Sequence, residues 1–134
     1  MALLESTNEQ YRQLIESARA ALQFSYSPYS HFQVGSALLC ADGSIISGCN
    51  IECTTIGLTI CGERCALAKA ISQGERNFKA VAIVAASLAY CWPCGSCRES
   101  LAEFAPDIDV IVEDDQRELV VVKLNELLPN QFLA

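Results

Sequence analysis

Apolar residues return every three to four positions in several stretches of the chain, and this spacing predicts amphipathic helices. The first such stretch is preceded by Ser6 and Glu9, which have the spacing of a capping box. The second has Gly74 directly behind it, where a left-handed residue commonly ends a helix. The predicted helical segments are residues 6–24, 62–73, 93–104 and, as a short closing turn, 123–128.

Runs rich in β-branched residues alternate with these helices and predict strands. The run at residues 80–87 is almost continuously apolar, as expected for a strand that is covered on both faces. Asp42 and Gly43 predict a hairpin turn between the first two strands. The predicted strands are residues 34–40, 44–48, 80–87, 109–112 and 119–122. This order of elements predicts one α/β domain over residues 1–134, a three-layer α-β-α sandwich with a mixed five-stranded sheet.

The charge of the chain limits the partners that it can have. Sixteen acidic against nine basic residues give a net charge of −7 and an isoelectric point near 4.6. A protein that binds the phosphate backbone needs a basic face, so a small neutral or cationic molecule fits better than a nucleic acid polymer. No apolar run reaches the roughly 18 residues that span a bilayer, and no basic and then apolar leader opens the sequence. We therefore expect no membrane partner and a cytoplasmic location.

Cysteine is unusually frequent, with eight residues in a chain of 134. An even number in a secreted chain would suggest disulfides, whereas clustered cysteines in a reducing compartment more often bind metal. We favour metal binding, with the remaining cysteines packed as small core residues. The eight are Cys40, Cys49, Cys53, Cys61, Cys65, Cys91, Cys94 and Cys97.

Three of these thiols lie where two predicted helices begin. Cys61 precedes one helix, and Cys94 and Cys97 lie in the first turn of the next helix, on the same face. The partial positive charge of a helix N-terminus lowers the pKa of a thiol and favours the thiolate that binds metal. Three thiolates and one open position are typical of a catalytic zinc, since a structural zinc usually has four protein ligands. The spacing therefore predicts one Zn²⁺ per chain, with room for a water molecule.

Glu63 is the candidate catalytic residue, because it lies two residues beyond Cys61 and could face that water without binding the metal. It could accept the proton of the water and pass it to a leaving group. The neighbouring Arg64 could donate to the sulfurs and neutralise part of their charge. Cys65 and Cys91 are possible fourth ligands, although we expect core packing for both. A structural-zinc or thiol-redox module that acts through partners stays an alternative, but it gives Glu63 no task.

Several short motifs, spread in order over most of the chain, resemble one enzyme family. C-x-E followed by P-C-x-x-C is the signature of the zinc nucleoside and nucleobase deaminases, in which the first ligand is usually His. The all-cysteine version seen here resembles the small homotetrameric cytidine deaminases. The motifs that carry the resemblance are SPYSHFQVGSALL, GCNIE, GLTICGERCALAKA, PCGSCRE and ELLPNQF.

The resemblance implies zinc-dependent hydrolytic deamination of cytidine and 2′-deoxycytidine to the uridines, with release of ammonia, in pyrimidine salvage. It also implies roles for residues outside the metal site. Asn50 and Glu52 would hold the ribose hydroxyls. Phe32 would stack on the pyrimidine, and Tyr29 would lie near the 5′-hydroxyl end. Phe132, in the last motif, would reach into the pocket of a neighbouring subunit of a homotetramer.

Departures from the residues usual in that family concern the substrate and the assembly. Cys53, Ile56 and Trp92 stand where the family often has Asn, Tyr and Ser, beside the expected substrate and subunit contacts. Gly62 and Glu99 stand where Ala and Gln are common. None of the five is a predicted metal ligand or the candidate catalytic carboxylate. Within the same reaction class, a deaminase of a modified cytosine nucleoside such as blasticidin S is therefore the alternative.

Overall fold

Five strands form one mixed sheet with helices on both faces in this computed structural model, which describes residues 2–133, and their side chains from residue 7 onward. The strands are β1 (Val34–Cys40), β2 (Ile45–Cys49), β3 (Phe78–Ala85), β4 (Asp109–Glu113) and β5 (Leu119–Lys123). The helices are α1 (Ala2–Ala21), α2 (Gly62–Ser72), α3 (Gly95–Phe104) and α4 (Leu124–Leu127), with short 3₁₀ turns at Leu22–Phe24 and Ile56–Leu58.

The strand order in the sheet is β2-β1-β3-β4-β5. All neighbouring pairs are antiparallel except β3 and β4, which are parallel and are joined by α3 as the crossover helix. This arrangement confirms the predicted mixed five-stranded sheet. It also puts β3 in the middle, which explains why its sequence is apolar without alternation.

Two apolar layers hold the helices to the sheet. On one face, Leu14 and Ile15 of α1 pack in a buried cluster with Ala82 of β3. On the other face, residues of α2 and α3 such as Ala66 and Leu101 pack in a second cluster. The predicted three-layer sandwich is therefore confirmed, and α2 and α3 lie in the same layer.

The predicted order of elements is confirmed, but the start of the first helix is wrong. Helix α1 begins at Ala2, so Ser6 lies inside the helix and does not cap it. The residues before Ser6 are mostly good helix formers, so nothing stops the helix at the serine; the side chain of Ser6 lies outside the described residues. Gly74 has a φ of +94° and follows the last turn of α2, as predicted. Across residues 2–133, no helix is both long and apolar enough to cross a membrane.

Close backbone contact at Gly48 fixes α2 against the sheet. A Cβ added to Gly48 would lie 2.5 Å from the backbone nitrogen of Ala66 and 2.8 Å from the carbonyl oxygen of Gly62. Gly35 on the neighbouring strand β1 allows the same approach to α1, where an added Cβ would lie 2.0 Å from the Ala18 carbonyl oxygen. The two glycines therefore set how closely one helix on each face can approach the sheet.

We expect Gly48→Ala to lower the free energy of unfolding by about 3 kcal/mol, because the backbone of α2 cannot rotate away from the new methyl group. The first turn of α2 would also shift and take Cys61 and Glu63 with it, so the zinc content should fall. Chemical denaturation and metal analysis measure the two effects. Gly57→Ala is the matched control, since a Cβ there meets nothing within 4 Å. Equal stability of the two variants would show that this contact does not fix α2.

Candidate metal centre

The three predicted ligand thiols meet at the start of two helices. Cys61 is the residue before α2 and Cys94 the residue before α3, and Cys97 follows in the first turn of α3. The Sγ atoms of Cys61 and Cys94 are 3.7 Å apart, and those of Cys94 and Cys97 are 3.5 Å apart. Neither helix has a side chain that caps its first amides. The sulfurs therefore lie where helix dipoles favour thiolates.

The spacing of the sulfurs fits a tetrahedral zinc. Two sulfurs that each lie about 2.3 Å from one tetrahedral Zn²⁺ are about 3.8 Å apart, which is close to the distances found here. The three sulfurs all lie within 4.8 Å of one another. Neither Cys65 nor Cys91 belongs to this group in the part of the chain that the structure describes. Three thiol ligands leave one position of a tetrahedron open.

The charges around the thiols favour a thiolate at Cys61. Its pKa is lowered to about 5, chiefly by a hydrogen bond from Cys97 and further by one from Arg64, against the opposing effect of burial. The pKa of Cys97 is raised in turn, because it donates to Cys61 and is buried. Nη2 of Arg64 lies 3.8 Å from Sγ of Cys61 and 3.2 Å from the carbonyl oxygen of Thr59. Nε of Arg64 is buried and has no hydrogen-bond partner among the described atoms, so additional negative charge at the sulfurs would be stabilised there.

Glu63 is a buried carboxyl group in the first turn of α2, with only 4% of the residue exposed. Burial raises its pKa, while hydrogen bonds from its own backbone amide and from Cys97 partly oppose the shift. Glu63 therefore holds a proton more readily than an exposed glutamate does. Isolated buried carboxyl groups are costly, so a position beside three thiols needs a functional reason.

A cavity of about 190 Å³ opens in front of Glu63 and the thiols of Cys61 and Cys94, whereas the buried Cys97 does not line it. Phe32, which was predicted to contact the base, lies in its wall. Trp92 also lines it, two residues before the Cys94 thiol. The complete lining is Phe32, Val34, Asn50, Thr59, Cys61, Gly62, Glu63, Cys91, Trp92 and Cys94.

Two residues of this lining were not predicted as site residues, although both belong to motifs that carry the resemblance. Val34 is the first residue of β1, and Thr59 follows the 3₁₀ turn that leads to α2. Their closeness to Phe32 and Cys61 in the chain was the signal that could have pointed to them. Trp92 has a signal of its own, because it stands where the family often has Ser.

Asn50 lines the cavity, but most of its hydrogen-bonding groups are used inside the protein. Its Oδ1 accepts hydrogen bonds from the backbone amide of Val34 at 3.0 Å and from the Ser25 hydroxyl. Its Nδ2 donates to the carbonyl oxygen of Phe32 at 2.7 Å. One N–H of the amide remains for a ligand, so Asn50 both positions the Phe32 backbone and faces the cavity.

Glu52 and Tyr29 do not line the cavity. The Glu52 carboxylate accepts hydrogen bonds from the backbone amides of Tyr29 and Ser30 at 3.0 and 3.1 Å, and from the Ser30 hydroxyl. These bonds lower the pKa of Glu52, with the Ser30 hydroxyl as the largest cause. The Tyr29 hydroxyl lies 2.6 Å from Oγ1 of Thr54. Glu52 thus holds the loop that leads to Phe32 and the cavity wall.

Phe132 and Ile56 are also absent from the cavity wall, and both are exposed, at 80% and 84%. Among the cysteines outside the cluster, Cys91 does line the cavity. Burial raises the pKa of Cys91 to about 11, with smaller contributions from the charges of Glu63 and Cys61. Cys91 therefore stays a neutral thiol at neutral pH.

Comparison with known proteins shows which protein family this chain resembles in sequence and in fold. Residues 8–113 match the family model described as the cytidine and deoxycytidylate deaminase zinc-binding region. A cytidine deaminase from Halalkalibacterium halodurans is 47% identical over 90% of this chain and 92% of its own length. The crystal structure of a cytidine deaminase from Burkholderia pseudomallei superposes with a TM-score of 0.86 at 40% identity, covering 90% of this chain and 98% of that one.

One relative is named for a different substrate. A blasticidin-S deaminase from Bacillus cereus is 31% identical over 93% of this chain and 94% of its own length. The family match, the coverage of both chains and the thiol cluster agree with one another. The chain belongs to the family of zinc-binding cytidine and deoxycytidylate deaminases.

Proposed function

We propose that this protein hydrolytically deaminates cytidine and 2′-deoxycytidine to the corresponding uridines and releases ammonia, as expected in pyrimidine salvage. The observation that carries the proposal is the buried carboxyl of Glu63 on the wall of one cavity, together with Cys61 and Cys94 of the three-thiol cluster. Cytidine deaminases with 40–47% identity over about nine-tenths of the chain support the same reaction.

Zinc is the cofactor of this family, and Cys61, Cys94 and Cys97 are the residues we assign to hold it. The donor set supports this assignment, since thiolate is a preferred zinc ligand and the sulfur spacing suits a tetrahedron. When bound, zinc acts as a Lewis acid that makes water nucleophilic near neutral pH. Arg64 offsets part of the negative charge that the thiolates carry.

Glu63 moves the protons of the reaction. A carboxylate oxygen of Glu63 accepts a proton from water as the water oxygen bonds to C4, and delivers that proton to N3 of the cytosine ring. Glu63 then takes the proton of the new C4 hydroxyl and carries it to the amine nitrogen, which leaves as ammonia when the C4–N bond breaks and the C4 carbonyl forms. One residue can serve the water oxygen, N3 and the amine nitrogen because all three atoms lie on the same side of the ring. Burial raises the pKa of Glu63 above that of an exposed glutamate, the direction that favours a group which must both accept and donate protons.

The base is held by the aromatic wall of the cavity. Phe32 stacks on the pyrimidine, and the free N–H of Asn50 donates to a ribose hydroxyl. We assign Glu52 and Tyr29 to the sugar end of the substrate, where both also stabilise the loop before Phe32. A contact of Glu52 with ribose would use the carboxylate lone pairs that the loop leaves free.

A deaminase of blasticidin S is the second candidate. Two observations favour it: the 31% identical relative from Bacillus cereus, and the large Trp92 side chain in the cavity wall. Cys53 and Ile56 also differ from the family's usual residues, but neither lines the cavity. The higher identity to cytidine deaminases over nearly the whole chain makes cytidine the first choice.

We further propose a cytoplasmic homotetramer whose sites are completed by neighbouring subunits. Exposed apolar side chains support an interface, since Ile56, Leu58 and Phe132 are 84%, 64% and 80% exposed. The net charge of −7 disfavours an interface built on opposite charges. The cluster of Cys61, Cys94 and Cys97 favours a reducing compartment, where clustered cysteines more often bind metal than form disulfides.

We expect one zinc per chain, retained by Cys65→Ser and lost on Cys94→Ser. The reason is that Cys94 lies within 3.7 Å of both other sulfurs, while Cys65 is outside the cluster. Metal analysis of the purified proteins at equal concentration measures the stoichiometry. Loss of zinc from the Cys65 variant, or full zinc in the Cys94 variant, would refute the ligand assignment.

An ultraviolet assay with cytidine, 2′-deoxycytidine and blasticidin S tests the function, and we expect cytidine and 2′-deoxycytidine to be converted. Glu63→Gln should keep the fold and the zinc but lose about 10⁴-fold in kcat, since the amide has the same shape and cannot accept a proton. Turnover of blasticidin S alone would replace the first candidate by the second. A Glu63→Gln protein with a tenth of the wild-type rate would exclude the proton transfer role.

We expect a solution mass near four chains, and a sharp rise in KM on removal of residues 131–134 with zinc still bound. The deletion removes two large exposed apolar side chains, Phe132 and Leu133. Phe132 is the larger, and burying such a side chain at an interface typically contributes about 2 kcal/mol or more. Light scattering and steady-state kinetics measure the two effects. A fully active monomer, or unchanged KM after the deletion, would show that each pocket is complete within one chain.

A further inference from the structure

Arg98 joins two parts of the molecule that the proposed mechanism treats separately. It follows Cys97 in α3, and its guanidinium group is half-buried. Nε donates to the carbonyl oxygen of Pro93 at 2.7 Å, and Nη1 donates to the carbonyl oxygen of Leu127 at 2.7 Å. Pro93 precedes the Cys94 thiol, and Leu127 is the last residue of α4.

The bond to the Pro93 carbonyl oxygen holds the chain segment that leads to the Cys94 thiol. Residues 86–93 between β3 and α3 form no regular element, and Cys94 has no side-chain cap partner. The backbone amide of Arg98 donates to the Cys94 carbonyl oxygen at 3.0 Å, while its side chain binds the carbonyl of the preceding residue. Arg98 therefore fixes two successive peptide units on either side of the Cys94 Cα.

The bond to the Leu127 carbonyl oxygen fixes the end of α4, from which the C-terminal segment, residues 129–133, continues. Helix α4 has only four residues; the Leu124 carbonyl oxygen accepts a bond from the Leu128 amide at 3.0 Å, and the last carbonyl groups lie at the helix end, where intrahelical donors run out. The guanidinium supplies a charged donor to the last of them. Beyond Leu128 the chain turns at Asn130, which has a φ of +55°, and then reaches Phe132.

Arg98 makes these contacts without an acidic partner. Among the described residues the ion pairs are Arg19–Glu16, Arg19–Glu113 and Lys123–Asp109. The side chain is therefore a two-armed donor to backbone carbonyls, and only a planar, forked cation can reach both. Lysine has a single ammonium group and would hold one arm at most.

We propose that Arg98 is a positioning residue. It couples the loop before Cys94, residues 86–93, to the C-terminal segment, residues 129–133. One arm orders the peptide before Cys94, and the other sets the point at which the segment carrying Phe132 leaves the domain. The part of this inference that concerns substrate binding rests on the proposed function. The part that concerns backbone order does not.

Hydrogen exchange of the zinc-loaded protein tests the coupling without any substrate. Arg98→Met should speed amide exchange about tenfold in two peptides, residues 91–97 around Cys94 and residues 127–133 at the C-terminal end. This is the effect expected from the loss of charge-assisted hydrogen bonds. Arg76→Met is the matched control, because Arg76 also donates to two backbone carbonyls, those of Ile71 and Glu75 at the end of α2. The control should leave both peptides unchanged. Unchanged exchange in either peptide of Arg98→Met would overturn the proposal.

Kinetics then separate positioning from a general loss of structure. Arg98→Met should raise KM for cytidine about tenfold in the full chain, with kcat changed less, and should add nothing to the KM of the chain that lacks residues 131–134. Equal increases of KM in the two chains would show that Arg98 does not act through the segment. Arg98→Lys should restore part of the protection at one peptide only, and it replaces the methionine variant if that protein does not fold. A wild-type protein inactive on cytidine refutes the proposed function and leaves the exchange result decisive for Arg98.

Discussion

The meeting of two helix starts over one end of the sheet is the constraint on which the rest of the structure depends. Cys61 and Cys94 are the residues before α2 and α3, and their sulfurs lie 3.7 Å apart although 33 positions separate them in the chain. Helix α2 packs on β1 and β2, whereas α3 leads from β3 to β4. The two starts come together because β1 and β3 are neighbours in the sheet.

The same arrangement explains how a buried carboxyl is tolerated. Glu63 lies in the first turn of α2, where the helix dipole favours a negative charge, but it is withdrawn from water and its pKa is raised. Arg64, the next residue, turns its guanidinium to the sulfurs and to the Thr59 carbonyl. One turn of helix thus presents a proton carrier and a compensating cation to the same small volume.

Much of the fold was predictable because its signals are local. The bounds of β1 follow from a continuous apolar run before a turn of Asp42 and Gly43, and the end of α2 follows from Gly74. The start of α1 was not predictable from Ser6, since a good N-cap residue also fits inside a helix when good helix formers precede it.

The metal centre was predictable from spacing, whereas the cavity wall was predictable only in part. Cys61, Glu63 and the Cys94–Cys97 pair stand at helix starts that can be read along the chain. Phe32 and Asn50 were expected at the substrate and do line the cavity. Val34 and Thr59 belong to the same motifs, but a motif does not show which of its residues face a cavity. Glu52 belongs to one of the family's motifs, yet its carboxylate accepts hydrogen bonds from the loop at residues 29–30. A motif alone does not show that backbone amides of the same chain compete with the substrate for such a carboxylate.

The position of the thiols on this sheet also bears on what a metal ion contributes to the fold. In small zinc fingers the ion organises the fold, because the chain has too little apolar surface to fold without it. Here Leu38, Val81 and Ile111 are fully buried or nearly so in apolar layers that the metal ligands hardly enter. The spacing of the sulfurs depends on the pairing of β1 with β3, because that pairing places the starts of α2 and α3 side by side. The sheet therefore holds the ligands in place, and a full zinc content reports a correctly assembled chain.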